Sequence, residues 1–527
     1  MSTGTYQLLP LPQELNMASY ILDRNINVGR GERIAIYCQG ETYTFNDLFT
    51  LTNKAGNTLR ELGVGREDRV LVILQDSPEW LANWLGAIKI GGVATHAYSY
   101  LLPEDYGYFL NYVRPKVVVV DDMTLDRVRG GLKYSRYPVT LLVKGHSLKL
   151  QEGEYDFYAM VKAASKDLEA EPTSKDDFAT WTWSGGTTGK SKAVPHMHHD
   201  FPYSFESFHQ IVHFSEKDII LLAPKLFFHY AHETLLWNMT AGGAAVLFPE
   251  RTTPQILFKL VEKHKATLLV NVPTMMRAML QTPKEERADL SSLRINFSSG
   301  EALSEQLYKE WKETFGVEVV EPIGSAESYL GYIVNPPDKK VPGSLGKVAP
   351  LVEAKIVDDE GQEVPKGEQG LLWIRSDSVG TGYYLDHEKS KRTFVGNDWL
   401  NTGDIFRQDA DDNFYYVGRG DDLLKVSGVW ISPLEMEMHI QKHEKVKECA
   451  VLGIPDKDGL IKTKAYVVLQ EGIEGSESLR NELTTFCKEK LAPHKYPRTI
   501  EFLPELPKTG QGKIDRRLLR EKESTQR

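Results

Sequence analysis

Short apolar runs separated by amphipathic stretches dominate the N-terminal half of the chain. The stretches Asp68–Leu74 and Lys116–Val120 are largely apolar, which is typical of strands buried on both faces of a parallel sheet. Between them, Pro78–Ile90 places Trp80 and Trp84 on one face, as in an amphipathic helix. Strands that alternate with helices in this way predict an open α/β sheet.

The same pattern extends along the chain. It predicts a helix that starts at the Asn46-Asp47-Leu48 segment and ends at Leu62, and a loop or short helix over 145–175. Short strands with Gly and Pro turns over 343–375 indicate a small β-rich subdomain. Further strands are predicted at 33–37, 41–45, 218–222, 244–248, 267–270 and 294–297.

The C-terminal residues carry a separate, mixed pattern. We therefore predict an α/β protein with a large N-terminal domain, 1–418, of α/β sheets plus the β-rich subdomain. A smaller α+β domain is predicted over 419–527.

Composition excludes several classes of partner. The chain has 527 residues, of which 41% are hydrophobic and 26% charged, as expected of a globular protein with more than one domain. A net charge of −10 argues against nucleic acid or an anionic membrane as the main partner. No run approaches the ~18 apolar residues of a membrane span, and the N-terminus lacks a signal-peptide pattern.

The three cysteines, Cys38, Cys449 and Cys487, are far apart and form no CxxC pair. Neither a disulfide framework nor a zinc site is expected, and a reducing cytoplasm is the predicted location. The oligomeric state, monomer or dimer, is left open by the sequence.

The stretch Thr180–His198 combines a β-prone run with a loop rich in glycine, hydroxyl and lysine residues. Converging backbone N–H groups, hydroxyls and cations suit a polyphosphate. A Walker A loop is excluded because Ser184 replaces its first glycine and Pro195 interrupts the helix it needs. The alternative is an ordinary surface loop. The candidate phosphate-binding residues are Ser184, Gly185, Gly186, Thr187, Thr188, Gly189 and Lys192.

This loop resembles the phosphate loop of the adenylate-forming superfamily, with Ser191 and Ala193 where a proline and a glycine are usual. That superfamily contains acyl- and aryl-CoA synthetases, peptide-synthetase adenylation domains and luciferases. Further segments match its motifs in the same order, so chance is a poor explanation. They are Ser299–Ala302, Glu321–Glu327, Asn401–Asp404, Gly418–Gly428 and Lys508–Arg516.

The resemblance implies specific nucleotide contacts. Glu327 would hold Mg²⁺ against the ATP phosphates, since Mg²⁺ is usually bound by one or two carboxylates and substrate phosphates. Ile323 and Ala326 depart from the aromatic and hydroxyl residues that are usual at their positions. The other implied ATP or AMP contacts are Ser299, Gly300, Glu301, Ala302, Glu321, Pro322, Ile323, Gly324, Ser325, Ala326, Asp404 and Arg419.

The resemblance also implies a mobile C-terminal domain that turns about Asp421. Lys513 would enter the site during adenylation, and Thr188 and Glu327 would share the catalytic role with it. CoA contacts are implied for two residues of the joining segment, namely Ser427 and Gly428.

The segment Lys225–Ala231 resembles the KLFFAYG stretch of benzoate–CoA ligases, with His229 for the alanine and Ala231 for the glycine. The alternative is that this aromatic run is simply core. The pocket wall that the resemblance implies consists of His229, Tyr230, Ala302, Gly324 and Leu330.

Three histidines, His196, His198 and His199, look like a metal cluster. Successive residues of a strand point to opposite faces, however, and no acidic partner stands at ligand spacing. A structural or pocket role for His196 is therefore favoured.

These features together predict an ATP- and Mg²⁺-dependent acid–CoA ligase. It would activate an aromatic acid of the benzoate, aminobenzoate or hydroxybenzoate type as an acyl-adenylate and transfer the acyl group to CoA. A stand-alone enzyme that loads an acyl carrier protein stays open as an alternative. A nucleotide sensor without chemistry is a third reading, against which Glu327 and Lys513 argue, and nothing favours a luciferase-like oxygenase.

Overall fold

The computed structural model divides the chain into two compact units. The first unit holds Thr3–Ala354 and Ile374–Leu400, and the second holds Lys355–Trp373 and the residues from Asn401 onward. The residues described are 3–146, 149–185, 191–337, 340–341, 343–396, 398–420, 424–426, 429–455, 461–491, 496–508 and 514–525.

The first unit contains two large sheets, here called sheet I and sheet II. Sheet I is parallel except for one antiparallel strand at its edge, Lys192–Met197. Its strands in spatial order are Lys192–Met197, Phe178–Ser184, Val93–His96, Arg69–Ile73, Val117–Asp121, Thr140–Lys144 and Glu154–Asp156.

Sheet II has the same design, with Glu41–Thr44 as its antiparallel edge strand. Its strands in spatial order are Glu318–Val320, Ile295–Ser298, Leu268–Asn271, Ile219–Leu222, Ala244–Leu247, Ile34–Cys38 and Glu41–Thr44.

Helices cover these sheets and bury their apolar faces. Val118 and Val120 of sheet I, for example, belong to one buried cluster with Tyr106 and Phe109 of a neighbouring helix. The helices of the first unit are Ser19–Asp23 (π), Arg24–Asn27, Phe45–Glu61, Pro78–Lys89, Pro103–Val113, Leu125–Leu132, Phe157–Ala163, Asp200–Val212, His229–Thr240, Pro254–His264, Pro273–Gln281, Lys284–Glu286 (3₁₀), Glu305–Phe315 and His387–Thr393.

Smaller antiparallel elements complete the first unit. A three-stranded sheet joins Pro322–Ser325, Leu330–Val334 and Lys347–Val348. Two short strands, Thr3–Gly4 and Phe394–Val395, pair with residues 353–354 and 399–400. The division between units falls within three strands, Glu353–Val357, Gln369–Arg375 and Trp399–Gln408.

The second unit has its own core, which includes Val451, Val467 and Leu483. Its remaining strands are Phe414–Arg419, Leu424–Val426, Val429–Ile431, Val446–Pro455, Ile461–Leu469 and Thr499–Phe502, and its helices are Pro433–Ile440, Glu477–Lys490 and Arg516–Thr525.

The predicted α/β class is confirmed, with two differences in detail. The strand predicted over 41–45 ends at Thr44, because Thr44 and Asp47 form a capping box that starts the helix at Phe45. The polar region 145–175 contains a short strand, Glu154–Asp156, as well as the short helix Phe157–Ala163. Nowhere in the described ranges is a helix both long and apolar enough to cross a membrane.

Candidate functional site

The candidate phosphate loop connects the two strands at the edge of sheet I. These strands form an antiparallel pair in which Ser184 lies opposite Lys192. Gly185 is exposed at the end of the first strand. The predicted contacts at Gly186, Thr187, Thr188 and Gly189 lie outside the described residues.

The Glu327 carboxylate lies beside this loop. Its Oε1 atom accepts a hydrogen bond from Ser184 Oγ at 2.6 Å and another from the Tyr383 hydroxyl at 2.6 Å. Both Glu327 and Tyr383 are buried. The structure thus brings together Ser184 and Glu327, which the sequence places 143 residues apart.

The electrostatics of this carboxylate fit a magnesium ligand. Burial alone would raise the pKa of Glu327, but the hydrogen bonds from Ser184 and Tyr383 outweigh it and hold the pKa below its usual value. Within the described ranges, no group of three or more His, Cys, Asp and Glu side chains is placed to hold a metal. The residues present therefore fit an ion held by one ionised carboxylate and by phosphate oxygens, as Mg²⁺ commonly is.

Three contacts fix the backbone around Glu327. The Ala326 carbonyl accepts hydrogen bonds from Thr182 Oγ1 at 2.9 Å and from His196 Nε2 at 2.8 Å. The Gly380 N–H donates to the Glu327 carbonyl at 2.8 Å. His196 therefore has a structural role, joining the edge strand of sheet I to the segment that carries Glu327.

The neighbouring histidines contact other parts of the chain. His198 Nδ1 accepts a hydrogen bond from the Met17 N–H at 2.9 Å, and His199 Nδ1 lies 2.9 Å from the Lys175 carbonyl. His196 Nδ1 and His199 Nε2 both lie against the Asp200 carboxylate, at 2.6 Å and 3.2 Å, so the expectation that no acidic partner stands nearby is wrong. His198 makes a separate contact.

Lys192, the predicted ATP contact, pairs with Asp386. Its ammonium group also lies 5.8 Å from the centre of the Tyr383 ring. The hydrogen bond from Lys192 lowers the pKa of Asp386. The positive charge of Lys192 therefore lies close to the tyrosine ring whose hydroxyl donates to Glu327.

The predicted adenine-side segments are held close to each other. Ser299 Oγ donates to the Pro322 carbonyl at 2.9 Å. The buried Glu321 carboxylate accepts from the Leu303 N–H at 3.2 Å and from Lys340 Nζ at 2.8 Å. The Glu321 side chain therefore stabilises this loop from within the protein. Of the other predicted contacts, Gly300, Ala302 and Gly324 are exposed, and Glu301, Ile323, Ser325 and Ala326 are partly exposed.

Gly324 is required by close packing of the backbone. A Cβ atom at this position would lie 2.6 Å from the Leu330 carbonyl oxygen and 2.9 Å from Gly331 Cα. Leu330 and Gly324, both predicted pocket residues, thus meet across two antiparallel strands.

Two other predicted pocket residues, His229 and Tyr230, lie at the start of the helix His229–Thr240. The His229 ring lies 4.8 Å from the ring of Tyr329, the neighbour of Leu330. Burial lowers the pKa of His229 and raises that of Tyr230. Ala302 lies on an exposed loop before the helix Glu305–Phe315.

The predicted ribose contacts lie in the second unit. Asp404 and Arg419 are opposite each other on paired strands, and Arg419 Nη1 lies 3.0 Å from Asp404 Oδ1. Arg419 Nη1 also donates to the Thr402 carbonyl at 3.0 Å. The predictions for Asp421, Ser427, Gly428 and Lys513 fall outside the described residues.

The sequence interpretation missed three residues of the candidate site in the first unit. Tyr383 donates to Glu327, Tyr329 contacts His229, and Glu233 lies one helical turn beyond His229. Of these three, only Glu233 could have been found from the sequence. It follows His229 by four residues, a spacing that places both side chains on one face of a helix.

A pH-dependent loss of stability is expected from His198. Burial lowers its pKa to about 4, whereas an unfolded histidine titrates near 6.5, so between these values the unfolded chain alone is protonated. The contribution of His198 is complete above pH 6.5 and falls by up to about 3 kcal/mol as the pH drops toward 4.

The measurement is urea unfolding of the wild type and of His198→Asn at several pH values. Asparagine can still accept the Met17 N–H but does not titrate, so the difference between the two proteins isolates His198. A difference independent of pH would contradict the expectation.

Comparisons with known proteins agree with these features. Residues 22–384 match the AMP-binding enzyme family, and residues 435–513 match the AMP-binding enzyme C-terminal domain. The chain is 36% identical over 523 residues to a benzoate–CoA ligase of Thauera aromatica, covering 98% of each chain.

Solved structures give the same picture. An anthranilate CoA ligase in complex with anthranoyl-AMP superposes with a TM-score of 0.91 at 36% identity, covering 98% of each chain. A benzoate CoA ligase from Burkholderia xenovorans LB400 gives a TM-score of 0.86 at 33% identity, covering 96% of this chain and 99% of that one.

The fold and these matches define an adenylate-forming enzyme, and the chain belongs to the AMP-binding enzyme family. Within that family it is an AMP-forming acid–CoA ligase related to the benzoate–CoA ligases, which confirms the resemblance seen in the sequence. ATP, Mg²⁺ and CoA are the cofactors and co-substrates of this class.

Proposed function

We propose that this enzyme converts an aromatic carboxylic acid, of the benzoate, aminobenzoate or hydroxybenzoate type, to its CoA thioester. One observation carries the proposal. The segment that supplies Glu327 to the phosphate side continues to Tyr329, whose ring lies 4.8 Å from that of His229 at the predicted acyl pocket. The carboxylate of the acid and the α-phosphate of ATP would therefore meet between Glu327 and the predicted acyl pocket.

The relatives support this class of substrate. Besides the benzoate–CoA ligase, a 4-hydroxybenzoate–CoA/benzoate–CoA ligase of Rhodopseudomonas palustris is 34% identical over 516 residues, covering 97% of this chain and 95% of that protein. The anthranoyl-AMP complex contains an aminobenzoyl-adenylate. Substrates with a polar ring substituent are thus represented among the relatives.

The chemistry consists of two displacements. A carboxylate oxygen of the acid attacks the α-phosphorus of ATP, which forms the acyl-adenylate as pyrophosphate leaves. Mg²⁺ bound at Glu327 would neutralise phosphate charge, and Lys513 would bring a cation close to the two anionic reactants. The CoA sulfur, after losing its proton, then attacks the acyl carbon, and AMP leaves with the C–O bonding electrons.

We propose that the two displacements use different domain arrangements. The domains would be 1–418 and 419–527, with Asp421 as the hinge and with Asp404 and Arg419 on the ribose. Ser427 and Gly428 would contact CoA in the second step. Because Gly420 precedes the hinge, the backbone there can accept a large change in φ and ψ.

The substrate class is tested by measuring AMP release with CoA for benzoates, cinnamates and fatty acids. Amino- or hydroxybenzoate is expected to exceed octanoate in kcat/KM by at least about 100-fold, because a short aromatic wall rejects a flexible chain. Omitting CoA serves as the control for adenylate hydrolysis. Octanoate ranking above every benzoate would contradict the proposal.

The acceptor and the location are parts of the same proposal. We favour free CoA over a carrier protein because the relatives named above are CoA ligases. Thioester formation with CoA and with a phosphopantetheinylated carrier protein, assayed side by side, separates the two.

A cytoplasmic location is consistent with Cys38, Cys449 and Cys487, which are buried as free thiols.

A further inference from the structure

A row of buried polar side chains lies on one face of the helix His229–Thr240. His229, Glu233 and Trp237 are four residues apart, and His229 Nε2 lies 3.3 Å from Glu233 Oε2. Ser204 of the neighbouring helix donates to Glu233 Oε1 at 2.5 Å and accepts from Trp237 Nε1 at 2.9 Å. We call His229, Glu233, Ser204 and Trp237 the buried polar ladder.

The protonation of the ladder follows from its burial. Burial raises the pKa of Glu233 well above its usual value and lowers that of His229, so the site favours the neutral form of each side chain. Because the Ser204 oxygen accepts from Trp237, its own proton points to Glu233 Oε1. The acid proton then belongs on Oε2, the oxygen next to His229.

The position of this proton decides what His229 presents to a ligand. A proton on Glu233 Oε2 faces His229 Nε2, which makes Nε2 the acceptor nitrogen of the neutral ring. The other nitrogen, Nδ1, then carries hydrogen and is a donor. In this structure Nε2 and Oε2 are close but not aligned for a hydrogen bond.

Several polar atoms near the ladder have no partner. Within the described part of the chain, neither ring nitrogen of His229 nor the hydroxyl of Tyr329, whose ring lies 4.8 Å from that of His229, makes a hydrogen bond, and all three atoms are shielded from water. Tyr329 is fully buried and holds a left-handed backbone with φ of 55°. Buried polar groups are normally paired, so a cluster of unpaired ones indicates a polar ligand group.

We propose that His229 hydrogen-bonds an amino or hydroxyl group on the ring of the substrate, and that Glu233 is the positioning residue that fixes the tautomer and orientation of His229. This inference rests on the proposed function and narrows it to benzoates with a protic ring substituent. An amino or hydroxyl group both donates and accepts, so it can pair with Nδ1–H and with a tyrosine hydroxyl. A methyl group of similar size can do neither.

The experiment compares amino- and hydroxybenzoates with the toluates that carry methyl at the same ring position. In the wild type, the best protic substrate is expected to exceed its matched toluate in kcat/KM by about 100-fold. Glu233→Leu is expected to reduce this ratio at least roughly tenfold, mainly through KM, because no acid proton then lies beside Nε2 to fix the tautomer of His229. Glu233→Gln is expected to keep the ratio within about threefold, since an amide donates as the neutral acid does.

His229→Ala and His209→Ala form the matched pair of histidine variants. His229→Ala removes the proposed donor and is expected to bring the protic substrate and its toluate to nearly equal kcat/KM. His209 lies on the neighbouring helix against Phe205, away from the ladder, and its replacement should leave the ratio unchanged. Melting temperatures of all variants verify folding, and His229→Ala decides the question even if Glu233→Leu fails to fold.

Three results would overturn the inference alone. These are wild-type turnover of toluates equal to that of every protic benzoate, a ratio in His229→Ala equal to that of the wild type, and equal ratios in Glu233→Leu and Glu233→Gln. In each case aromatic acids are still ligated, so the proposed function stands. Turnover of aliphatic acids with no turnover of any benzoate would overturn the proposed function and this inference with it.

Discussion

Glu327→Gln is expected to lower the rate of adenylate formation by at least about 100-fold while the protein stays folded. Glutamine keeps the shape of the side chain and can still accept from Ser184 and Tyr383, but it lacks the negative charge that Mg²⁺ needs. ATP–pyrophosphate exchange measured over a range of Mg²⁺ concentrations is the assay. Unchanged Mg²⁺ dependence and turnover would refute the role of Glu327.

Tyr383→Phe is the matched control for this substitution. It removes one of the two hydrogen bonds that hold the pKa of Glu327 down, while the carboxylate itself remains. The pKa of Glu327 should therefore rise, and the acidic limb of the pH–rate profile should move to higher pH. The loss at neutral pH should be smaller than in Glu327→Gln.

Lys513→Ala is expected to abolish ATP–pyrophosphate exchange, with a loss of about 1,000-fold or more, yet to leave thioester formation from a supplied acyl-adenylate and CoA. The attacking carboxylate and the α-phosphate are both anionic, so they need a cation between them only during the first step. Lys513 follows Gly510 and Gly512, and we expect this long side chain to enter the site for adenylate formation and to leave it afterwards. The two half-reactions are measured separately.

Lys508 provides a control from the same segment. Its ammonium group pairs with Glu448 at 2.9 Å within the second unit, so Lys508→Ala should affect neither half-reaction. If Lys513→Ala damaged both half-reactions equally, the lysine would be needed throughout, and alternation between two domain arrangements would have to be abandoned.

The local elements of the fold were visible in the sequence because their signals are local. Ser77 and Pro78 start a helix at the predicted place, since the Ser77 side chain accepts from the Trp80 N–H. The order of strands was not visible. Ile34–Cys38 pairs with Ala244–Leu247, some two hundred residues later, and no short-range pattern specifies such a partner.

The same distinction applies to the candidate site. Ser184 and Glu327 could be named because each lies in a segment that resembles a motif of the adenylate-forming superfamily. Tyr383 could not, because its role exists only through a hydrogen bond across the fold to Glu327. Glu233 is similar, since its raised pKa results from burial among side chains that the fold brings together.

The antiparallel pair at the edge of sheet I bears on how the proposed phosphate site would neutralise a triphosphate. In P-loop enzymes the phosphates lie at a helix N-terminus, whose aligned peptide dipoles supply about half a positive charge permanently. Here the connection 185–191 runs into the strand Lys192–Met197, and the next helix starts only at Asp200. Strand dipoles alternate and largely cancel, so we expect side chains and a metal ion to supply the full charges, in addition to the N–H groups of the loop. A side chain or a metal ion can move away from the phosphates, whereas a helix dipole cannot. This suits an enzyme that must release first pyrophosphate and then AMP in every turnover.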